Sequence, residues 1–134
     1  MPAETNLKIL LEDLRPELSD ETYVFCTVPG AVYGELSHTE PVASFVEPEG
    51  LTLVLTQKSA EDHKLLYQAT FRCISLQVHS SLEAVGLTAA ITSELATHGI
   101  SANVIAGYYH DHIFVPSTRA HDALSALKSM SRRP

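Results

Sequence analysis

Cysteine is scarce: Cys26 and Cys73 are the only two, far apart and outside any CxxC spacing, so neither a disulfide scaffold nor a thiolate metal knuckle is encoded. Free thiols in a reducing cytoplasm are the expectation. No run of about 18 apolar residues occurs, and Met1-Pro2-Ala3-Glu4-Thr5-Asn6 has no basic n-region, so neither a membrane span nor a secretory leader is expected. Basic residues are few, 9 against 16 acids, and the net charge of −7 argues against a nucleic-acid backbone or an anionic membrane as partner. The six glycines form no GxGxxG or GxxxxGK[ST], which leaves no nucleotide-phosphate cradle. HExxH and GxSxG are missing too, so neither a zincin nor a serine-nucleophile elbow is written here.

What is present is a 134-residue chain, 45% hydrophobic and 19% charged, long enough to bury roughly two thirds of its surface and to fold by packing alone. Charge is uneven: residues 1–62 hold 12 acids and 3 bases, residues 63–134 hold 4 acids and 6 bases. Leu7, Leu10, Leu11, Leu14 and Leu18 fall on one helical stripe that stops near Pro16. Thr22–Val28 reads as a buried strand turning at Pro29-Gly30, and residues 29–40 read as loop. Pro41 suits the first turn of a short helix through Val46, ended by Pro48-Glu49-Gly50. Leu51–Gln57 alternates as a strand. Ser59 with Asp62 has the spacing of a capping box for a short helix reaching about Tyr67.

The second half carries stronger signals. Thr70–Val78 sets Ile74, Leu76 and Val78 on one strand face, with Phe71, Cys73, Ser75 and Gln77 on the other. Ser80-Ser81-Leu82-Glu83 matches a capping box, opening a helix from Ala84 to His98 with Ala84, Leu87, Ile91 and Leu95 as its stripe. Gly99 suits the C′ position, with Ile100 placed to pack on Leu95 in a Schellman motif. Ser101–Tyr108 and His112–Val115 read as a hairpin turning near Tyr109–Asp111, and Ala120, Ala123, Leu124 and Leu127 mark a last helix. Strand, helix, strand, strand, helix is most of a ferredoxin-like α+β unit.

Ile74–Val115 resembles an ACT domain, a small ligand-sensing module: an apolar strand leads through a loop ending in Gly86 to a helix and then to Gly99-Ile100-Ser101-Ala102-Asn103-Val104, which is similar to that family's Gly-Ile-Asn strand entry. HSSLEAVGLTAA with ISANVIAGYYHDHIFVP further resembles small bacterial and fungal proteins built from two ACT-like repeats. The resemblance implies an α+β fold of tandem ferredoxin-like repeats, with open antiparallel sheets flanked by helices. It divides the chain into a shortened repeat with a leading helix, residues 1–69, and a fuller repeat, residues 70–134. It also implies sheets that pair, hence a homodimer, and a cytoplasmic regulatory module without catalytic activity whose ligand is a small molecule of the amino-acid type.

The candidate ligand residues are Ser80, Ser81, Leu82, Glu83, Ala84, Val85, Gly86 and Asn103. A helix N-terminus offers amides and a positive dipole end to a carboxylate, while Glu83 either caps those amides itself or turns outward to hold an ammonium. Asn103 at the following strand is a second polar contact or only a loop cap. His79, His110, Asp111 and His112 have metal-ligand chemistry but lack a third short-range ligand, so no metal and no cofactor are expected. Two rival functions remain open: an assembly module that acts through its sheet edges, and an enzyme that uses the histidines. Arg132-Arg133 reads as a basic tail complementing the last helix.

Overall fold

The computed structural model describes residues 3–132; Met1, Pro2, Pro134 and Arg133 of the basic tail lie outside the described residues. Two compact units are present, one of residues 21–71 and one that joins residues up to Asp20 to those from Arg72 onward. The elements in chain order are α1 (Leu7–Glu12), β1 (Pro16–Val28), β2 (Ala43–Glu47), β3 (Gly50–Thr56), α2 (Gln57–Asp62), β4 (Phe71–Leu76), α3 (Leu87–Thr97), β5 (Asn103–Ala106), β6 (Asp111–Pro116) and α4 (Ala120–Met130). This is the expected α+β class.

In the unit built on the second half, the strand order is β1-β4-β6-β5, and the strand beside β4 is the first part of β1. The Gln77 N–H donates to the Arg15 carbonyl at 3.1 Å and the Arg72 guanidinium to the Ser19 carbonyl at 2.7 Å, which ties the N-terminal segment to β4. Ile74, Leu76, Val78, Ile113 and Val115 supply one buried face, and Leu87, Ile91 and Leu95 of α3 with Ala120, Ala123 and Leu127 of α4 cover it. The leucine stripe is divided between two elements. Asn6 caps α1 by accepting the Ile9 N–H, the helix ends at Glu12, and Arg15 (φ +46) redirects the chain into β1, so Leu18 reaches the core from a strand.

The Schellman motif is present as expected: the Gly99 N–H (φ +70) donates to the Ala96 carbonyl at 2.9 Å and the Ile100 N–H to that of Leu95 at 3.0 Å. With the left-handed turn placed there, Ile100 enters the core beside Leu95.

The unit of residues 21–71 has strand order β2-β3-β1, with both pairings antiparallel. Its core face carries Val24, Cys26, Leu51, Leu53 and Leu55, with Ala31 and Ala60 against them. Two local expectations fail here. Pro41–Val46 is not a helix: Ala43–Glu47 is a strand, with Pro48-Glu49 as a two-residue hairpin turn and Phe45 opposite Thr52. Proline at a first helical turn is a weak local preference, and pairing with β3 satisfies five residues of backbone that an isolated single-turn helix could not hold. Ser59 does not cap α2 either. Thr56 does so, accepting the Ser59 N–H at 3.2 Å, while the Ser59 hydroxyl donates to the Thr39 carbonyl.

Where the fuller repeat places α3 between two strands, residues 29–42 hold only a single turn of 3-10 helix, Ser37–Thr39. Gly30 (φ +77) and Gly34 (φ +87), with Pro29 and Pro41, keep that stretch from forming a longer helix. Leu51 and Leu53 are thus roofed by a loop, and a cavity of about 350 Å³ remains beside them.

Candidate functional site

Beyond the end of β4, Val78 is still buried, and the chain then enters the loop from Ser80 to Gly86. Ser80 is 8% exposed, and its hydroxyl donates to Asp111 Oδ2 at 3.1 Å. Glu4 forms a parallel bridge with Ser80: the Glu4 N–H donates to the His79 carbonyl at 3.0 Å and the Ser81 N–H to the Glu4 carbonyl at 2.9 Å. The loop is therefore anchored at its first residues from two directions.

The expected capping box does not form. Ser80, the expected cap, gives its hydroxyl to Asp111, while Ser81 Oγ accepts the Glu83 N–H and the Ser81 carbonyl accepts the Ala84 N–H, closing a local turn. The helix opens at Leu87, with Gly86 as its N-cap at φ +96 and no side chain bonded to the first-turn amides. Glu83 is exposed and leaves those amides uncovered. Ala84 packs partly into the core, while Leu82 and Val85 are 65% and 83% exposed. Leu7 lies under Gly86, and a Cβ there would stand 3.2 Å from Leu7 Cδ2. Glycine is thus selected by both φ and space.

The β5–β6 turn adjoins this loop. Its Gly107 N–H donates to the His110 carbonyl at 2.9 Å, the His79 and Tyr109 rings lie 5.0 Å apart, and His110 Nδ1 stands 3.4 Å from the Val78 carbonyl. Tyr108 and Tyr109 are exposed there, as Leu82 and Val85 are in the loop. Asn103 is not gathered into the group. It pairs with Phe114 at the start of β5, whereas the turn follows Ala106 opposite Asp111, which puts Asn103 about 10 Å down the strand. Asp111 is the neighbour that sequence reasoning assigns elsewhere, to a turn or a metal, whereas it reads His79 either as a metal ligand or, from its place beside the loop, as a hydrogen-bonding partner of a ligand or a buried carbonyl. Their hydrogen-bonding and ring partners lie about thirty residues away, beyond any local spacing.

His112 faces away from the helices, and its Nδ1 lies 2.7 Å from Ser75 Oγ. Burial lowers its pKa; the nearby His110 lowers it further, and Asp111 partly opposes both. The folded state therefore prefers neutral His112, and stability from this group is present above its unfolded value near 6.5 and is lost as pH falls below it. A melting temperature that drops between pH 7.5 and 6, with a smaller drop in His112→Asn, is the expected outcome. Equal drops would refute it. Burial also raises the Cys73 and Cys26 thiols, opposite to what a thiolate nucleophile needs. Among the described residues no three His, Cys, Asp or Glu side chains are grouped to hold a metal ion. No helix of the described residues is long and apolar enough to cross a membrane.

Two family models, each described as an ACT domain, match in tandem, over residues 2–72 and 68–129. None of the curated proteins matches the chain. A Vibrio cholerae protein of unknown function, described as a possible transport protein, is 57% identical over 93% of this chain and 95% of its own, with a TM-score of 0.83. The regulatory subunit of aspartate kinase from Thermus flavus shares the fold at 12% identity and a TM-score of 0.64, over 87% of this chain and 96% of that one. So does Escherichia coli aspartokinase III, solved in complex with aspartate and ADP, at 11% identity and a TM-score of 0.66 over 88% of this chain and 33% of that one.

Proposed function

Because this chain belongs to the ACT domain family, we propose that it is a ligand-binding regulatory module of two repeats, residues 1–69 and 70–134, that senses an amino acid and catalyses nothing. The observation that carries this reading is the uncapped start of α3: Gly86 opens an 11-residue helix with no side chain on its first-turn amides. A carboxylate suits those amides and the dipole behind them, and the exposed Glu83 supplies the opposite charge for an ammonium. Ser80, Ser81, Leu82, Ala84 and Val85 shape the loop around that position. Asn103, at the far end of β5, takes part only if it reaches the ligand from a second copy of the chain.

The regulatory reading makes the protein a cytoplasmic homodimer that controls an enzyme or transporter. Leu82, Val85, Tyr108 and Tyr109, all exposed around one end of the same unit, favour a second reading in which this end is an assembly surface.

A thermal-shift screen of the free amino acids separates the two. A ligand at about 100 times its dissociation constant adds roughly 2.7 kcal/mol, enough to raise the melting temperature by several degrees in a chain of this size. Glu83→Gln is expected to reduce that shift without altering the unliganded melting point, since Glu83 is exposed. An undiminished response in Glu83→Gln would remove Glu83 from the site, and no response to any amino acid would remove the sensor reading. If sedimentation then showed only a 14.6 kDa species, assembly would fall with it.

A further inference from the structure

The cavity within residues 21–71 lies where a loop replaces the helix that a full repeat would carry. Its floor is Leu51 and Leu53, and Leu36 and Tyr33 wall it. About 350 Å³ is within the range of small-molecule sites. Among the residues that line it, Glu40 is the one with a charge, while Ser37 and Ser44 contribute hydroxyls.

The loop that presents Glu40 is pinned. Thr39 is 2% exposed, its hydroxyl donates to the Leu36 carbonyl at 2.8 Å, and its own carbonyl accepts from Ser59 Oγ at 2.7 Å. Directly after it, Glu40 takes a left-handed conformation (φ +53), with its N–H bonded to the Ser37 carbonyl. The backbone that carries Glu40 is thus fixed at the cavity, and its side chain is exposed. Residues 21–71 contain seven acids and two bases, so the surrounding field repels anions as well.

We propose that this cavity is a binding site for a small organic cation, an ammonium carried on an apolar body, with Glu40 as its counter-charge. The apolar body lies against Tyr33 and Val42, which line the same cavity and are 79% and 57% exposed, and the ammonium meets the carboxylate at the rim. A free amino acid is a poor occupant, since its carboxylate would face Glu40 with no basic residue among those lining the cavity. The site is distinct from the Ser80–Gly86 loop and does not depend on the function proposed for it.

The test uses the full chain, labelled for amide NMR, with benzylammonium, benzyl alcohol and benzoate as probes. Benzylammonium is expected to shift amides within residues 33–44 saturably and to bind about five-fold more tightly than benzyl alcohol, while benzoate leaves them unchanged. Glu40→Gln should bring benzylammonium down to the affinity of the alcohol. Ser44→Phe, on the β2 edge, should fill the cavity and remove both. Should Ser44→Phe not fold, Glu40→Gln decides the matter alone. Benzoate binding as well as benzylammonium, an unchanged affinity in Glu40→Gln, or no saturable shift in this segment would overturn the proposal.

Discussion

Gly50→Ala is expected to destabilise the protein by about 3 kcal/mol, through backbone geometry alone. Gly50 is buried, opens β3 opposite Glu47, and sits at φ +154, which L side chains rarely adopt. A Cβ there would stand 2.7 Å from the Val28 carbonyl oxygen and 2.9 Å from Pro29 Cα. Both are backbone atoms at the end of β1, so relief requires the strand or the hairpin to move. The next residues, Leu51 and Leu53, are core side chains, and any shift would loosen them too. A urea unfolding curve with a lower midpoint and an unchanged slope would show the loss as one of stability. A midpoint equal to that of the parent would mean that the β2–β3 hairpin does not lie against Val28 and Pro29.

Leu95→Ala should cost a similar amount, about 2–5 kcal/mol, the range for emptying a fully buried leucine site. Leu95 has no exposed surface and belongs to the cluster formed by α3 with Ile74, Leu76 and Ile113. Its carbonyl also accepts the Ile100 N–H, and that backbone bond survives the substitution, so the helix should still end at Gly99. The loss would then be one of packing, read as a lowered urea midpoint with near-parental helical content by circular dichroism. Leu82→Ala is the matching control, because Leu82 is 65% exposed and outside the core; it should change stability by less than about 0.5 kcal/mol. If both leucine variants behaved alike, α3 would not be packed on this sheet.

Both variants bear on the proposed roles. Leu95 holds α3 against its sheet and with it the amides after Gly86, whereas Gly50 positions Leu51 and Leu53 under the cavity near Glu40. A functional loss in either would be indirect. The ligand tests therefore rest on Glu83 and Glu40, two exposed carboxylates whose removal leaves the cores untouched.

By itself the sequence determined those elements whose evidence lies within about ten residues. The alternation from Thr70 to Val78 sets three apolar side chains on one face wherever the strand is placed, and Gly99-Ile100 ends α3 because the left-handed turn and the apolar residue after it are adjacent. The leucine stripe was a true core signal, and only its division between α1 and β1 was hidden. Tertiary structure decided the rest, where two local preferences competed or the partner was distant. Phe45 and Val46 are 71% and 61% exposed, so no burial pattern marked Ala43–Glu47 as a strand, and only β3 made it one. Ser80-Ser81-Leu82-Glu83 has the spacing of a cap, yet Ser80 turned its hydroxyl to Asp111 and Gly86 took the helix entry. Ser80 meets Asp111, and the Ser19 carbonyl meets Arg72, across separations that no periodicity spans. The cavity follows from the same cause, since it is the space left by a helix that Gly30, Gly34 and two prolines prevent, and its walls become neighbours only when β2 and β3 pair.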